Sequence, residues 1–511
     1  MVMDRPLSPM FHIADDGEEL AGWARLLDQE RQSVAVEDGW SAPVMLCGEH
    51  PPPGWRDHVE PGGTLIVAAG RRWPWEAAER GSITVTRLVP AKGDRPIAAP
   101  CLARRGPGPT DGASLQTHED RLPKDAGTVD VAPLVSTAAV GAGRVIVVWA
   151  PLGQLYIAPG DRLRPFDHRT PVTERVATVD KGRIADLMRG IVADAVTGLG
   201  LPYVRPAVLP AGCDAALVMR CDVDGVYGEN TARVSQAFAR HGIPVSFFLN
   251  ADLAERYPGV LEFDQRHQVG QHGQRHDVFA TETDNDANLA AAEQWLLDRL
   301  GRQPRGFVAP RGLWNPTLGR ALHARGYRYS ADFGLVFDAL PFTTDEGVLQ
   351  LPVHPYSPER AARFADEQAL ARAGVDEQVR YYLDVARTAQ AEGRVAHLYG
   401  HPELLADLAD PLASALADWL ADHGGQAWTL EGYAERWWRR QKCEVVLQRA
   451  TSSSGNVDAI SVAGCTQEAL EVVAKRPVQL EHAGTIVSLP GDGRVVGVRD
   501  GKVVPSGLPL R

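Results

Sequence analysis

Short apolar runs and amphipathic helical patterns alternate from about residue 212 to 440, and this alternation narrows the fold more than any other feature of the chain. Residues 215–221 (AALVMRC), 243–249 (IPVSFFL) and 269–272 read as strands, with a helix over 230–241 closed by Gly242. A second helix covers 286–300 (DANLAAAEQWLLDRL) and stops at Gly301, and short strands follow at 306–309, 327–331 and 348–353. A helix at about 375–392, a strand at 394–399, a helix at 412–422 and a strand at 426–430 complete the series. Strands alternating with helices imply parallel βα units. Seven or eight of them in one stretch imply a closed or nearly closed barrel.

The flanking regions differ in character. Residues 1–210 are rich in Gly, Pro and Arg, with apolar runs at 43–47 (PVMLC), 64–69 (TLIVAA) and 144–150 (RVIVVWA). Each run lies near glycine or proline and reads as a buried strand between turns. Residues 104–130 read as a long surface loop. A helix is expected at about 180–198, with Ile184, Met188, Ile191 and Val192 as its apolar stripe and Asp180 as its cap. From 443 to 511 Val, Gly and Thr dominate, and runs such as 494–498 (RVVGV) suggest short strands. The expected fold class is α/β. It has a distorted (β/α) barrel of seven or eight units at 211–442, an N-terminal α/β domain at 1–210 and a small C-terminal all-β module at 443–511.

Composition removes several classes of function. The chain has 511 residues, enough for about two to four domains. Its formal net charge of −12 argues against a nucleic-acid partner, which needs a basic face. No apolar run of about 18 residues occurs, so no membrane span is expected. The first residues, MVMDRPLSPMFHIADDGEEL, lack the pattern of an export signal. Cys47, Cys101, Cys213, Cys221, Cys443 and Cys465 are widely spaced and include no CxxC pair, which disfavours both a disulfide framework and a cysteine zinc site. A cytoplasmic setting is expected. Nothing in the sequence sets the oligomeric state or the role of the first domain.

The chemistry gathers at the ends of the barrel strands. In RCDVDG an apolar strand runs into Asp222 and Asp224, which share a face because they are two apart. Two adjacent carboxylates are costly unless a cation sits between them, and the bland alternative is a solvated turn. In VGQHGQRHD, His272 and His276 are four apart and reach one metal if the stretch forms a single turn. Alone, such a pair is more often surface. Beside the aspartates it completes a three-ligand site with an open position, the arrangement that hydrolytic zinc requires. The segments GFVAPRG (306–312), Asp332 and His401 in HLYGHP also close predicted strands, at the rim where barrel active sites are built.

Taken in order, these motifs resemble the NodB-homology domain of the polysaccharide deacetylases, carbohydrate esterase family 4. The resemblance covers less than half of the chain. It implies Asp222 as catalytic base and Asp224, His272 and His276 as metal ligands. The Ala309-Pro310-Arg311-Gly312 stretch matches the second half of the family's third motif, so Arg311 implies an oxyanion N–H donor and Pro310 and Gly312 border the substrate. Asp332 is implied as the orienting acid and His401 as the general acid. The family's third-motif arginine, which holds the base, falls at Val308 and is absent here. Arg311 and Arg220, the latter on the same strand face as Asp222, are the two candidates to replace it.

The function implied is metal-dependent hydrolysis of an N-acetyl group from an N-acetylated sugar or glycan. The metal is expected to be zinc, with cobalt, nickel or iron compatible with the same ligands. The alternatives are hydrolysis of a non-sugar amide or cyclic imide, and a lapsed site retained for glycan binding. Trp314 is a candidate to stack on a sugar ring and His354 to line the pocket, each balanced by a packing role. Trp437 and Trp438 read as packing. Cys47 follows a strand in a way that suggests an amidotransferase-like nucleophile, but no glycine lies two before it and no His/Glu pair is visible, so a buried thiol is favoured.

Overall fold

A computed structural model describes residues 2–6, 9–14, 17–35, 42–68, 103–104, 113–117, 130–133, 135–157, 162–167, 170–176, 181–210, 212–225, 228–261, 264–332, 340–354, 374–443, 445–451, 458–463, 469–482, 485–493, 495–499 and 502–505. The chain divides into two compact units. One takes Met1–Ala158, Val179–Ala211 and Arg440–Arg511, and the other takes Pro159–Thr178 and Gly212–Arg439.

The second unit is built on one curled sheet. Its strands are β1 (Ala216–Val223), β2 (Val245–Leu249), β3 (Gln268–Gln271), β4 (Gly306–Phe307), β5 (Tyr329–Ser330), β6 (Phe342–Thr343), β7 (Leu349–Gln350), β8 (Ala396–Gly400) and β9 (Gln426–Trp428). The order is β6-β7-β5-β4-β3-β2-β1-β8, with β9 on β1. Every pairing is parallel except β6 with β7. The side between β7 and β8 is bridged by hydrogen bonds. The His354 N–H donates to His397 O at 2.9 Å, and His397 Nδ1–H donates to Pro352 O at 2.7 Å.

Alternation sets which side chains face which way. In β1, Leu217, Met219, Cys221 and Val223 join the apolar cluster with Phe247, Leu249, Leu398 and the helices outside the sheet. Arg220 and Asp222 therefore point inward, because neighbours along a strand alternate faces. Burying each large apolar side chain contributes roughly 1.5–3 kcal/mol, which offsets the cost of ordering so short a set of strands. The helices include α1 (Gly228–Arg240), α2 (Glu282–Leu300), α3 (Pro316–Ala324), α4 (Val375–Ala391) and α5 (Ala409–Asp422). Helix α2 begins earlier than the apolar pattern suggests. Thr281 caps it, accepting the Asp284 N–H at 3.1 Å, and Gly301 closes it in the left-handed region at φ 62°. An antiparallel hairpin, Arg162–Asp167 with Thr170–Val176, belongs to this unit although it lies in the first 210 residues.

The first unit holds a mostly parallel six-stranded sheet. Val34–Ala35, Phe11–Ile13, Val44–Cys47, Thr64–Val67 and Gly143–Val148 lie side by side in parallel, and Val135–Val140 adds an antiparallel edge. Cys47 is buried at the end of its strand, and its Sγ–H reaches Ile66 O at 3.7 Å. The helix expected near 180 spans Lys181–Gly198, and its expected cap, Asp180, lies outside the described residues.

Two expectations need correction. Residues 443–511 do not make a sheet system of their own. Val446–Thr451 pairs with Val2–Pro6, and Leu470–Val473 pairs with Tyr203–Pro206. A buried charge cluster ties the same segments together. Glu30 meets Arg189 at 2.9 Å and Arg205 at 3.0 Å, and Arg205 also pairs with Glu471 at 2.5 Å. Burial alone would raise the Glu30 carboxyl, yet the surrounding guanidinium groups hold it at about 2. The expected loop at 104–130 contains a strand, Ala113–Thr117, paired with Ala103–Arg104 and Asp130–Pro133; the rest of that stretch lies outside the described residues.

Candidate metal centre

The inward face of β1 carries two buried charges. Arg220 is fully buried and donates from Nε to Asp222 Oδ1 at 2.7 Å and from Nη2 to Asp222 Oδ2. Its Nη1 donates to Ala331 O at 2.7 Å, and its guanidinium lies over the Tyr399 ring, 4.9 Å from the centroid. A planar fork matched to both carboxylate oxygens fixes the orientation of Asp222. Burial pushes the Asp222 carboxyl up, but Arg220, with His272 and His401 nearby, holds it below the usual carboxylate range.

One residue beyond the strand, Asp224 meets the two histidines. Asp224 Oδ2 is 3.0 Å from His276 Nε2 and 3.9 Å from His272 Nε2. The two Nε2 atoms are 3.1 Å apart. One ligand atom from each of the three residues lies within 4.8 Å of the others. Bonds of roughly 2.1 Å to a tetrahedral ion imply ligand–ligand edges of about 3.4 Å, and the three observed separations bracket that value. The donor chemistry fits as well. His272 Nδ1–H donates to Val308 O at 2.7 Å, which leaves the Nε2 lone pair facing Asp224 and His276. Burial lowers the His272 pKa to about 4, so the ring is neutral and able to ligate at ordinary pH. His401 Nε2, just after β8, stands 3.8 Å from Asp224 Oδ2.

The loop that presents the histidines is held from outside. Gly273 sits at φ +82°, and a Cβ there would come within 2.8 Å of Arg275 O and of Asn288 Nδ2. Asn288, on α2, accepts the Arg275 N–H at 2.8 Å and donates to Arg275 O at 3.3 Å. It is buried among apolar neighbours. Sequence reasoning passed over it, and the available signal was an amide within the apolar stripe of a helix. Gly273 O accepts the Ala251 N–H at 3.0 Å, which anchors the loop to the end of β2 as well.

Residues 220–330 match the sequence profile of the family described as polysaccharide deacetylase. That stretch is similar to the polysaccharide deacetylase family, and the match covers less than a quarter of the chain. Among solved structures the chain is similar to one assigned as a polysaccharide deacetylase from Mycobacterium smegmatis, at 19% identity and a TM-score of 0.40, over 46% of this chain and 94% of that one. A second, assigned likewise, from Pseudomonas aeruginosa PAO1, shares 18% identity with a TM-score of 0.39 over 46% and 94%. The Puue allantoinase shares 18% identity with a TM-score of 0.38 over 45% and 93%. No curated protein matches the chain.

The matched stretch contains Asp222, Asp224, His272 and His276, whereas Asp332 and His401 lie beyond it. The Asp332 side chain is buried. Its carboxylate accepts the Ala309 N–H at 2.6 Å and the Ser330 hydroxyl, and Gln350 Nε2 donates to it at 3.4 Å. Burial raises its pKa to about 6. Through the Ala309 N–H it supports the turn Pro310–Gly312. Arg311 sits in that turn at φ +58°, an uncommon conformation for a residue with a side chain. Its guanidinium points to Asp277 at 3.8 Å, so it does not hold Asp222, and the choice left open between Arg311 and Arg220 falls to Arg220. Pro310 and Gly312 are buried in the turn. Trp314 packs against the cluster of Leu289, Phe307 and Leu318, beside Gly319 of α3. His354 is buried, its Nε2 is 3.0 Å from Tyr381 Oη, and its backbone bridges β7 to β8.

Proposed function

We propose that the barrel unit is a metal-dependent hydrolase that removes an N-acetyl group from an N-acetylated sugar or glycan. The observation that carries this reading is the convergence of Asp224, His272 and His276 beside a second, arginine-held carboxylate, Asp222. Those three residues would hold a divalent ion, with zinc favoured by one oxygen and two nitrogen ligands. When bound, such an ion supplies Lewis acidity, lowering the pKa of a water from about 15.7 toward about 7.

The remaining steps belong to the chain. Asp222, oriented by Arg220, accepts the proton of the attacking water. The low proton affinity imposed by Arg220 keeps it ionised and ready at neutral pH. The backbone N–H of Arg311, exposed by the turn that Asp332 supports through Ala309, stabilises the developing oxyanion. His401 donates a proton from its ring to the leaving amine nitrogen. Water and amide become acetic acid and free amine, and both protons are accounted for by Asp222 and His401. The net charge of −12 favours a neutral, N-acetylated substrate over a nucleic acid.

The test is acetate release from N-acetylglucosamine oligomers by the zinc-loaded full chain. Asp222→Asn is expected to reduce turnover by about 10²–10⁴ with zinc still bound, the usual size of a general-base contribution. Undiminished turnover in that variant contradicts the assigned role. Ring opening of a cyclic imide without acetate release from the oligomers would favour the amide or imide alternative.

A further inference from the structure

At the opposite end of the sheet from the metal centre, where β3 and β4 begin, a cavity of about 470 Å³ opens to solvent. That volume falls within the usual range of small-ligand sites, roughly 300–1,000 Å³. Its lining is polar and carries three arginines, Arg266, Arg302 and Arg305, against one carboxylate, Glu431. On a chain of net charge −12 such a grouping stands out.

The three guanidinium groups are not equally engaged. Arg266 is forked onto Asp264, with Nε to Oδ1 at 2.9 Å and Nη2 to Oδ2 at 3.1 Å, which neutralises its charge. Arg305 Nη1 comes only to 3.8 Å from Glu431 Oε1, beyond hydrogen-bond reach. Arg302 forms no ion pair among the described residues. The Gln303 side chain is exposed between Arg302 and Arg305 in sequence and borders the same cavity. The other polar groups in the wall are already committed. His267 accepts the Val245 N–H at Nδ1, 3.0 Å, and donates from Nε2 to Ser235 O, 3.0 Å, so it is a neutral wall residue. Gln268 Oε1 accepts the Ser246 hydroxyl at 2.8 Å and the Glu431 N–H at 3.0 Å. Among the described residues, Arg302, Arg305 and Gln303 are cavity side chains whose donors have no hydrogen-bond partner and whose charge is not already forked onto a carboxylate.

We infer that this cavity is a second binding site, for a phosphoryl group, separate from the metal centre. Two open guanidinium forks flanking an amide donor match the spread oxygens of a phosphate or diphosphate better than a single carboxylate. The polar, open wall offers nothing to an apolar ligand. The site stands independently of the hydrolytic reading, because none of its residues approaches Asp222, Asp224, His272, His276 or His401.

The experiment is calorimetric titration of the full chain with inorganic pyrophosphate, inorganic phosphate and glucuronate at low salt. Saturable binding of pyrophosphate is expected, tighter than phosphate, with glucuronate weaker than either. Arg302→Gln and Arg305→Gln should each weaken pyrophosphate at least fivefold, and the double variant should abolish it. Raised salt should weaken it as well, since exposed charges are screened. Both arginines are exposed, so the variants should keep the parent Tm and rate of acetate release. Binding that is equally tight in the double variant would place the anion elsewhere and overturn the inference. So would glucuronate binding more tightly than pyrophosphate, or no saturable binding of any of the three.

Discussion

Arg220 and Asp222 are two apart on one strand and buried together, so removing either strands the other's charge in the interior. Breaking a buried pair of this kind from one side costs roughly 3–5 kcal/mol. Arg220→Met should therefore lower the unfolding free energy by about that much in denaturant titration, and Arg220→Lys, which keeps the charge but loses the fork, should recover part of the stability and less of the turnover. Equal stability of Arg220→Met and the parent would mean that Asp222 is neutral or solvated. Asn288 acts at one remove, through the backbone of Arg275. Asn288→Ala should weaken zinc binding by about 10- to 100-fold, as loss of an outer partner commonly does, while leaving the Tm of the metal-free chain within a few degrees of the parent. Calorimetric zinc titration reads the first and thermal unfolding the second. The paired acids and the His-x-x-x-His spacing were legible because both are local in sequence. Arg220 was visible but undecided, since a strand pattern shows which face a residue takes and not which of two arginines reaches it. Asn288 was passed over although it sits at a stripe position of its helix, because nothing local in sequence says that its amide reaches the backbone of Arg275.

At the scale of elements, the ends decide more than the middles. Helix α2 was read from its apolar stripe and so began too late; the Thr281 cap lies in a polar stretch that carries no periodicity. Thr281→Ala should cost about 1 kcal/mol, read as a lowered denaturant midpoint with an unchanged slope. The turn after His272 is the sharper test. At φ +82°, an alanine in place of Gly273 meets both backbone strain of about 1–2 kcal/mol and the close approach of Arg275 O. Gly273→Ala should reduce stability by at least that strain and weaken zinc binding together. An unchanged zinc affinity would show that the histidine loop tolerates more play than its contacts imply. The short strands β4, β5 and β7 were expected to be longer because the apolar runs extend past them; the paired register ends at Phe307, Ser330 and Gln350, while Ala309, Ala331 and Leu351 beyond it are still buried.

For the whole molecule, long-range pairing was the part the sequence concealed. Val446–Thr451 adds to a strand at the start of the chain, and nothing in a run of Val, Gly and Thr names a partner more than four hundred residues away. Alternating βα units are different, because β1 to β5 each pair with the next strand in sequence, and that part of the curled sheet was legible for that reason. Buried titratable groups give the molecule a pH signature. His397 is buried with Nδ1–H donated to Pro352 O, and burial lowers its pKa to about 3. Between the unfolded value near 6.5 and that value the unfolded chain binds the extra proton, so stability is fully present above about 6.5 and is lost as pH falls through this window. The slope from this group approaches about 1.4 kcal/mol per pH unit. His397→Gln should flatten the fall of stability between pH 6 and 4 by close to one proton, and an unchanged slope would show that His397 titrates normally.

Zinc titration of the metal-stripped full chain, followed by calorimetry on the parent and on His272→Ala, His276→Ala and Asp224→Asn, probes the proposed centre most directly. The arrangement of donor atoms predicts one ion per chain in the parent and a loss of at least a hundredfold in affinity in each variant. A parent that takes up no zinc, or variants that bind it as tightly as the parent, would contradict the assignment of these three side chains to a metal.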